Sequence, residues 1–218
     1  WSDKYKGKFD QGWDKLREET LARQKKLGVV PPDAKLTKRP KEIPAWDAMD
    51  PKLKPVLARQ MEVYAGFLEH TDHQVGRLIA ALKDLEILED TLIYVIIGDN
   101  GASAEGGLPG TFNENIHLNG LELETPEFLI QRIDRFGGPQ AYNHYAVGWA
   151  HAMDTPYQWT KQVASHWGGT RNGTIVHWPK GIQAKGEIRS QFCHVIDVAP
   201  TVLEAAGIPA PTVVNSAQ

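Results

Sequence analysis

Thr91-Leu92-Ile93-Tyr94-Val95-Ile96-Ile97-Gly98-Asp99-Asn100-Gly101 sets a continuous apolar run directly before a carboxylate, an amide and a glycine turn. The run is rich in β-branched side chains and too short for a long helix. It therefore reads as a strand buried on both faces of a parallel sheet. Ligands of open α/β sheets sit beyond the carboxyl ends of such strands, which is where Asp99 and Asn100 fall. Their adjacent side chains offer hard oxygen ligands, suited to Ca²⁺ or Mg²⁺ rather than to a soft metal. The same residues also suit an Asx-type turn after a core strand, and local sequence leaves both readings open.

Upstream, Leu53, Leu57, Met61, Tyr64, Leu68, Val75, Ile79 and Leu82 recur at three- and four-residue steps and predict a helix from about Lys52 to Leu88. Asp50 is placed to cap it, and Pro55 suits its first turn. Helix, short turn at Glu89-Asp90 and strand make an αβ unit. His70 and His73 lie three apart on this helix, yet they lack the third and fourth ligands of a metal site, so a polar helix face accounts for them. Residues 1–50 combine a charged helical patch, Asp14–Lys26, with prolines 31, 32, 40 and 44. The sparse stripe Leu16, Thr20, Leu27 predicts a surface arm and linker.

Downstream of Gly101 the chain is glycine- and asparagine-rich, and Glu105-Gly106-Gly107 lacks the continuation of a phosphate loop, so it reads as flexible backbone. Thr125-Pro126-Glu127 reads as cap, first-turn proline and acidic first turn of a helix that stops at Gly137-Gly138. Tyr142–Tyr157, with Asn143, His144, Trp149 and His151, suits either the wall of a cleft or a well-packed excursion. Next come Lys161, His166-Trp167-Gly168-Gly169-Thr170-Arg171 and a strand-like Thr174–Trp178. Fixed cations and close-approaching glycine backbone before a strand are what an oxyanion site requires. Lys161 is a point charge able to reach an anion, His166 a proton donor, and Arg171 a partner for a carboxylate. Taken singly, each also fits a surface or packing role. Asp197 is placed to cap a closing helix that Gly207 ends. Cys193 reads as a buried, inert thiol.

The totals narrow the function classes. With 24 Lys+Arg against 27 Asp+Glu and a net charge of -3, nothing points to nucleic acid or a membrane surface. One cysteine excludes an internal disulfide and fits a reducing compartment, so the cytoplasm is expected, with the periplasm as the alternative. No apolar run is long enough to span a membrane. The opening Trp1-Ser2-Asp3 has neither an initiator Met nor a signal pattern, which suggests the middle of a longer protein.

In order, these pieces resemble the sulfatases of the alkaline-phosphatase-like superfamily, bacterial arylsulfatases in particular. Tyr64–Asp72 with Val75-Gly76 is similar to the family's helix, and Asp90–Gly101 to its metal-binding strand. Lys161 with Gly168-Gly169-Thr170-Arg171 is similar to its lysine and Gly-Gly-x-Arg segment, and Asp197-Val198-Ala199-Pro200-Thr201 to its following helix. The resemblance implies an α/β sandwich with a central, mostly parallel sheet flanked by helices, present only in part: an arm over 1–50 and part of a catalytic domain over 51–218. It implies hydrolysis of a small-molecule sulfate ester to an alcohol or phenol plus sulfate. Asp99 and Asn100 would be two of four protein ligands of one Ca²⁺, and Lys161 would stand near the bridging oxygen with His166 and Arg171 beside the substrate. Phosphodiesterases and phosphonate monoester hydrolases of the superfamily usually place Asp-His where this chain has Asp-Asn. They remain an alternative, as does a non-catalytic binding module. Two departures stand out. The chain has His166-Trp167 where relatives often carry an acidic residue, and it has no Cys/Ser-x-Pro-x-Arg, the source of the family's formylglycine nucleophile. The 218 residues alone are thus expected to be inactive.

Overall fold

The apolar run forms β1 over Ile93–Ile96, and Thr174–His177 forms β2. The computed structural model describes residues 1–121 and 123–213, in two units divided between Gln183 and Ala184. Residues 214–218, the end of the expected catalytic portion, lie outside the described ones. Mixed helix and strand agree with the α/β expectation. The parallel sheet does not appear among the described residues: β1 and β2 pair antiparallel, Ile93 opposite His177 through Ile96 opposite Thr174. Two-sided burial fails with it. Ile96, Ile97, Ile175 and Val176 are all exposed, because a two-stranded sheet has no further layer to cover its faces.

Helix α1 spans Gly12–Leu27 and α2 Lys54–Asp84, with Pro55 in the first turn. Asp50 does not cap α2 itself. Its carboxylate accepts the Lys52 N–H and closes the turn before the helix. The apolar stripe of α2 is used unevenly. Leu53, Leu57 and Met61 are buried, whereas Leu68 and the neighbouring Phe67, Leu78 and Leu85 are exposed.

The core forms where the N-terminal half of α2 meets residues expected to be a surface arm. Trp13 of α1 and Trp46 are buried, with Trp149 of α5 (Val147–Met153) completing a cluster of three indoles at centroid separations of 4.8 to 5.5 Å. Trp149 donates its indole N–H to the Leu57 carbonyl at 2.8 Å, and Trp13 donates to Pro44 at 3.1 Å, so the polar edges of both buried rings are satisfied. Arg17 is buried too, donating to the Thr37 carbonyl and hydroxyl and to the Tyr157 carbonyl. Residues 1–50 therefore contribute core rather than a loose arm. One tryptophan and one bonded arginine do what an aliphatic stripe does elsewhere. Tyr142–Tyr157 likewise takes the well-packed alternative: Tyr145, Ala146, Trp149, Ala150, His151 and Ala152 are all buried.

Gln60 ties this core to the loops that lead to the site. Fully buried on α2, it donates to the Pro109 carbonyl at 2.8 Å and accepts the Ala146 N–H at 3.1 Å. Gln60→Leu strands both backbone groups and is expected to cost about 1–2 kcal/mol. The check is a lowered urea midpoint at unchanged slope; a midpoint equal to wild type would show that the two backbone groups find other partners.

Short helices α3 (Glu114–Leu118), α4 (Pro126–Ile130) and α6 (Trp167–Thr170) punctuate the loops. Thr125 caps α4 as its sequence predicts, its hydroxyl accepting the Phe128 N–H. In the second unit, α7 covers Val198–Ala205, and Gly207 at φ +67° follows its end. The cap lies earlier than expected. His194 Nδ1 accepts the Ile196 N–H while the Asp197 carboxylate accepts the His194 N–H. Cys193 is exposed rather than buried, since one turn and one helix offer no interior.

Candidate active site

Beyond β1 the pairing continues one step, with Ile97 N–H donating to the Gly173 carbonyl at 3.1 Å. Gly98 then turns the chain at φ +78°, a conformation that favours glycine. The Asp99-Asn100-Gly101 turn lands against Gly168-Gly169, where the Gly101 N–H donates to the Gly169 carbonyl at 2.9 Å. No side chain fits at this crossing. A Cβ on Gly101 would lie 1.6 Å from the Gly168 oxygen, and one on Gly168 would lie 2.1 Å from the Trp159 oxygen. Fold and sequence expectation thus meet at one place: two segments about seventy residues apart, each singled out for its chemistry, touch backbone to backbone.

Asp99 is exposed and Asn100 half-buried, with the Asn100 amide donating to the Asp99 carboxylate. The pair carries the hard oxygen donors that Ca²⁺ takes in shells of six to eight, and the observed contact joins the Asn100 amide nitrogen to one Asp99 oxygen. It does not close a shell by itself. Among the described residues no group of three or more His, Cys, Asp or Glu side chains could hold a metal ion.

Lys161 enters through its backbone, donating its N–H to the Ala102 carbonyl at 3.0 Å. It lies between Trp159 and Gln162, both at positive φ (65° and 74°), a strained arrangement for residues with a Cβ. Its ammonium donates to both Glu105 oxygens at 3.1 and 3.0 Å. Lys161, Glu105, Ala104 and Gln162 line a cavity of about 150 Å³. His166 belongs to a different cavity, about 280 Å³, shared with Thr37, Tyr157, Gln158, Ser165 and Trp167. Its Nδ1 lies 2.9 Å from the Ser165 hydroxyl, and its ring meets Trp159 edge-on at 5.9 Å. Arg171 is exposed. Instead of pairing a carboxylate, its guanidinium stacks over Trp167 at 4.9 Å and Tyr157 at 5.5 Å. The structure therefore gathers Asp99, Asn100 and the Lys161 backbone around one turn and sets the side chains of His166 and Arg171 in a neighbouring aromatic cluster.

Two acidic residues escaped the sequence reading. Glu105, expected to be mere flexible backbone, is half-buried. The Ser103 hydroxyl, donating at 2.7 Å, and then the Lys161 ammonium hold its carboxyl below the ordinary carboxylate range. Asp154, at the end of α5, accepts the Ala102 N–H at 2.9 Å and so holds the other side of the residue that Lys161 binds. Burial pushes its carboxyl up to about 7, and its second oxygen has no partner among the described residues. Nothing in the spacing of either residue marks it. The signal is the contact, which only the fold creates.

The Asp-Asn turn, the lysine segment and the close-packed diglycine thus lie side by side on a mixed α/β frame. The chain belongs to the sulfatase family, whose model, described as Sulfatase, matches residues 1–208. It is 32% identical to an arylsulfatase of Klebsiella aerogenes over 213 residues, which is 95% of this chain and 42% of that protein. It is 31% identical to an uncharacterized sulfatase of Schizosaccharomyces pombe over 219 aligned positions, 96% of this chain and 36% of that one. The chain thus spans less than half the length of either relative. Among the described residues no helix is long and apolar enough to cross a membrane.

Proposed function

We propose that the protein carrying this chain hydrolyses sulfate esters to an alcohol or phenol plus sulfate. The observation that supports it best is the Gly101–Gly169 backbone bond, which sets the Asp-Asn pair beside the diglycine while Lys161 bonds to Ala102 next to it. In this reading Asp99 and Asn100 supply half the ligands of one Ca²⁺. The ion they would hold would supply Lewis-acid polarisation of the sulfate. Lys161 stands as a fixed cation at the bridging oxygen, while His166 as proton donor and Arg171 as a second positive group act from the neighbouring aromatic cluster, on the part of the substrate that reaches it. The 218 residues contain no Cys/Ser-x-Pro-x-Arg, so the reaction takes its formylglycine nucleophile from sequence outside them.

The test compares an aryl sulfate with an aryl phosphodiester on the full-length protein, and repeats the sulfate assay on the 218 residues alone. The expected outcome is preference for the sulfate by the full-length protein and no turnover by the shorter chain. Preference for the phosphodiester would overturn the substrate assignment, and turnover by the 218 residues would overturn the external nucleophile.

A further inference from the structure

Lys161 carries its charge on four methylenes, and an ammonium so mounted is a mobile point charge unless something fixes it. In this fold three groups cooperate to fix it. Both Glu105 oxygens accept from the Lys161 ammonium, at 3.1 and 3.0 Å. The carboxylate is itself held. Ser103 donates its hydroxyl to one oxygen at 2.7 Å, and the Gln162 amide donates to the other at 3.3 Å. Ser103 is oriented in turn by accepting the Glu105 N–H at 3.3 Å. With side-chain exposures of 34% for Lys161 and 28% for Glu105, this is not a fully solvated surface pair. An ammonium has three N–H donors, and two directed at Glu105 leave one for an incoming anion.

We propose that Glu105 is the positioning residue of Lys161: it orients the ammonium, so that the lysine meets the ester's bridging oxygen already placed. The inference rests on the sulfate-ester reading of Lys161 given above. Glu105 does not touch the substrate. It acts through Lys161, with Ser103 and Gln162 holding it from behind, and His144 is the other titratable group whose charge bears on it.

The experiment uses the full-length protein with an aryl sulfate and four variants: Glu105→Gln, Glu105→Asp, Lys161→Ala and the double Glu105→Gln/Lys161→Ala. Glu105→Gln is expected to lower kcat by about tenfold or more, with KM changed less than about threefold, as for other groups that orient a catalytic partner. Glu105→Asp, which keeps a carboxylate beside the ammonium, recovers part of the rate. Once Lys161 is alanine, Glu105→Gln has no further effect. Equal losses from Glu105→Gln with and without Lys161, or no recovery of rate in Glu105→Asp, would overturn the positioning role and leave the sulfatase reading standing. A Lys161→Ala variant with wild-type kcat would instead overturn the lysine's role in that reading, and this inference with it.

Discussion

Gly101→Ala is expected to cost the chain about 3 kcal/mol or more of stability and to lower aryl sulfate turnover by the full-length protein at least about a hundredfold. Overpacking in a well-filled interior costs typically about 1–3 kcal/mol, because a side chain can leave its rotamer to make room. Here the obstacle is backbone. The added Cβ would lie 1.6 Å from the Gly168 oxygen and 2.7 Å from its carbonyl carbon, and no rotamer change relieves that. The Asp-Asn turn must move away from the diglycine, breaking the bond from Gly101 to Gly169 and spoiling the approach of Asp99 and Asn100 to the lysine segment. Gly76→Ala is the internal control. On α2, a Cβ at Gly76 meets nothing within 4 Å, so the exchange gains helix propensity and stabilises by about 0.5–1 kcal/mol. Urea midpoints for the two variants should therefore move in opposite directions. If Gly101→Ala unfolds at the wild-type midpoint, the close approach is not a constraint on the native state.

Elements whose cause is local were legible in the sequence. The three-and-four spacing of Leu53, Leu57 and Met61 yields α2 because those residues face a core, and Thr125-Pro126-Glu127 yields α4 because cap and first turn are chemistry of adjacent residues. Both strands fall where β-branched residues run together. What escaped was created by partners distant in sequence. Strand direction is a property of the pair, so no pattern within Thr91–Ile97 distinguishes an antiparallel neighbour from a parallel one. Burial of α1 was invisible because Trp13 and Arg17 concentrate into two side chains the contact area that a periodic stripe spreads over many. The candidate site divides in the same way. Asp99, Asn100 and Lys161 drew attention by residue type and position, whereas Glu105 sat in a glycine-rich run and its partner is a lysine 56 residues away.

The pH dependence of stability turns on two groups at the end of α5 whose effects oppose each other. Asp154 ionises near 3.8 when unfolded but at about 7 in the fold, where burial disfavours the charged carboxylate. Between those values the unfolded chain holds fewer protons, so the stability Asp154 contributes is complete below pH 3.8 and is lost as pH rises to about 7. His151 runs the other way. Fully buried, with neither ring nitrogen bonded and the Arg17 and Arg39 charges repelling a proton, it protonates near 6.5 unfolded but only at about 4 folded. Its contribution is complete above pH 6.5 and is lost as pH falls to about 4. Each swing is about 3 kcal/mol, taking about 1.4 kcal/mol per unit and discounting Asp154 for the solvent that still reaches it. From about pH 4 to 6.5 the two slopes oppose, and wild type should be nearly flat with respect to this pair. Single variants expose each arm. Asp154→Asn keeps an oxygen for the Ala102 N–H and removes the titration, so its stability should climb from pH 4 to 6.5 under His151 alone. His151→Leu removes two unbonded nitrogens and should leave a profile that falls between pH 4 and 7 under Asp154 alone. Urea titrations across about pH 4 to 8 measure both slopes. Parallel profiles for the two variants would sink the assignment, because opposite slopes follow only if the carboxyl is buried neutral and the imidazole is buried neutral in the same fold.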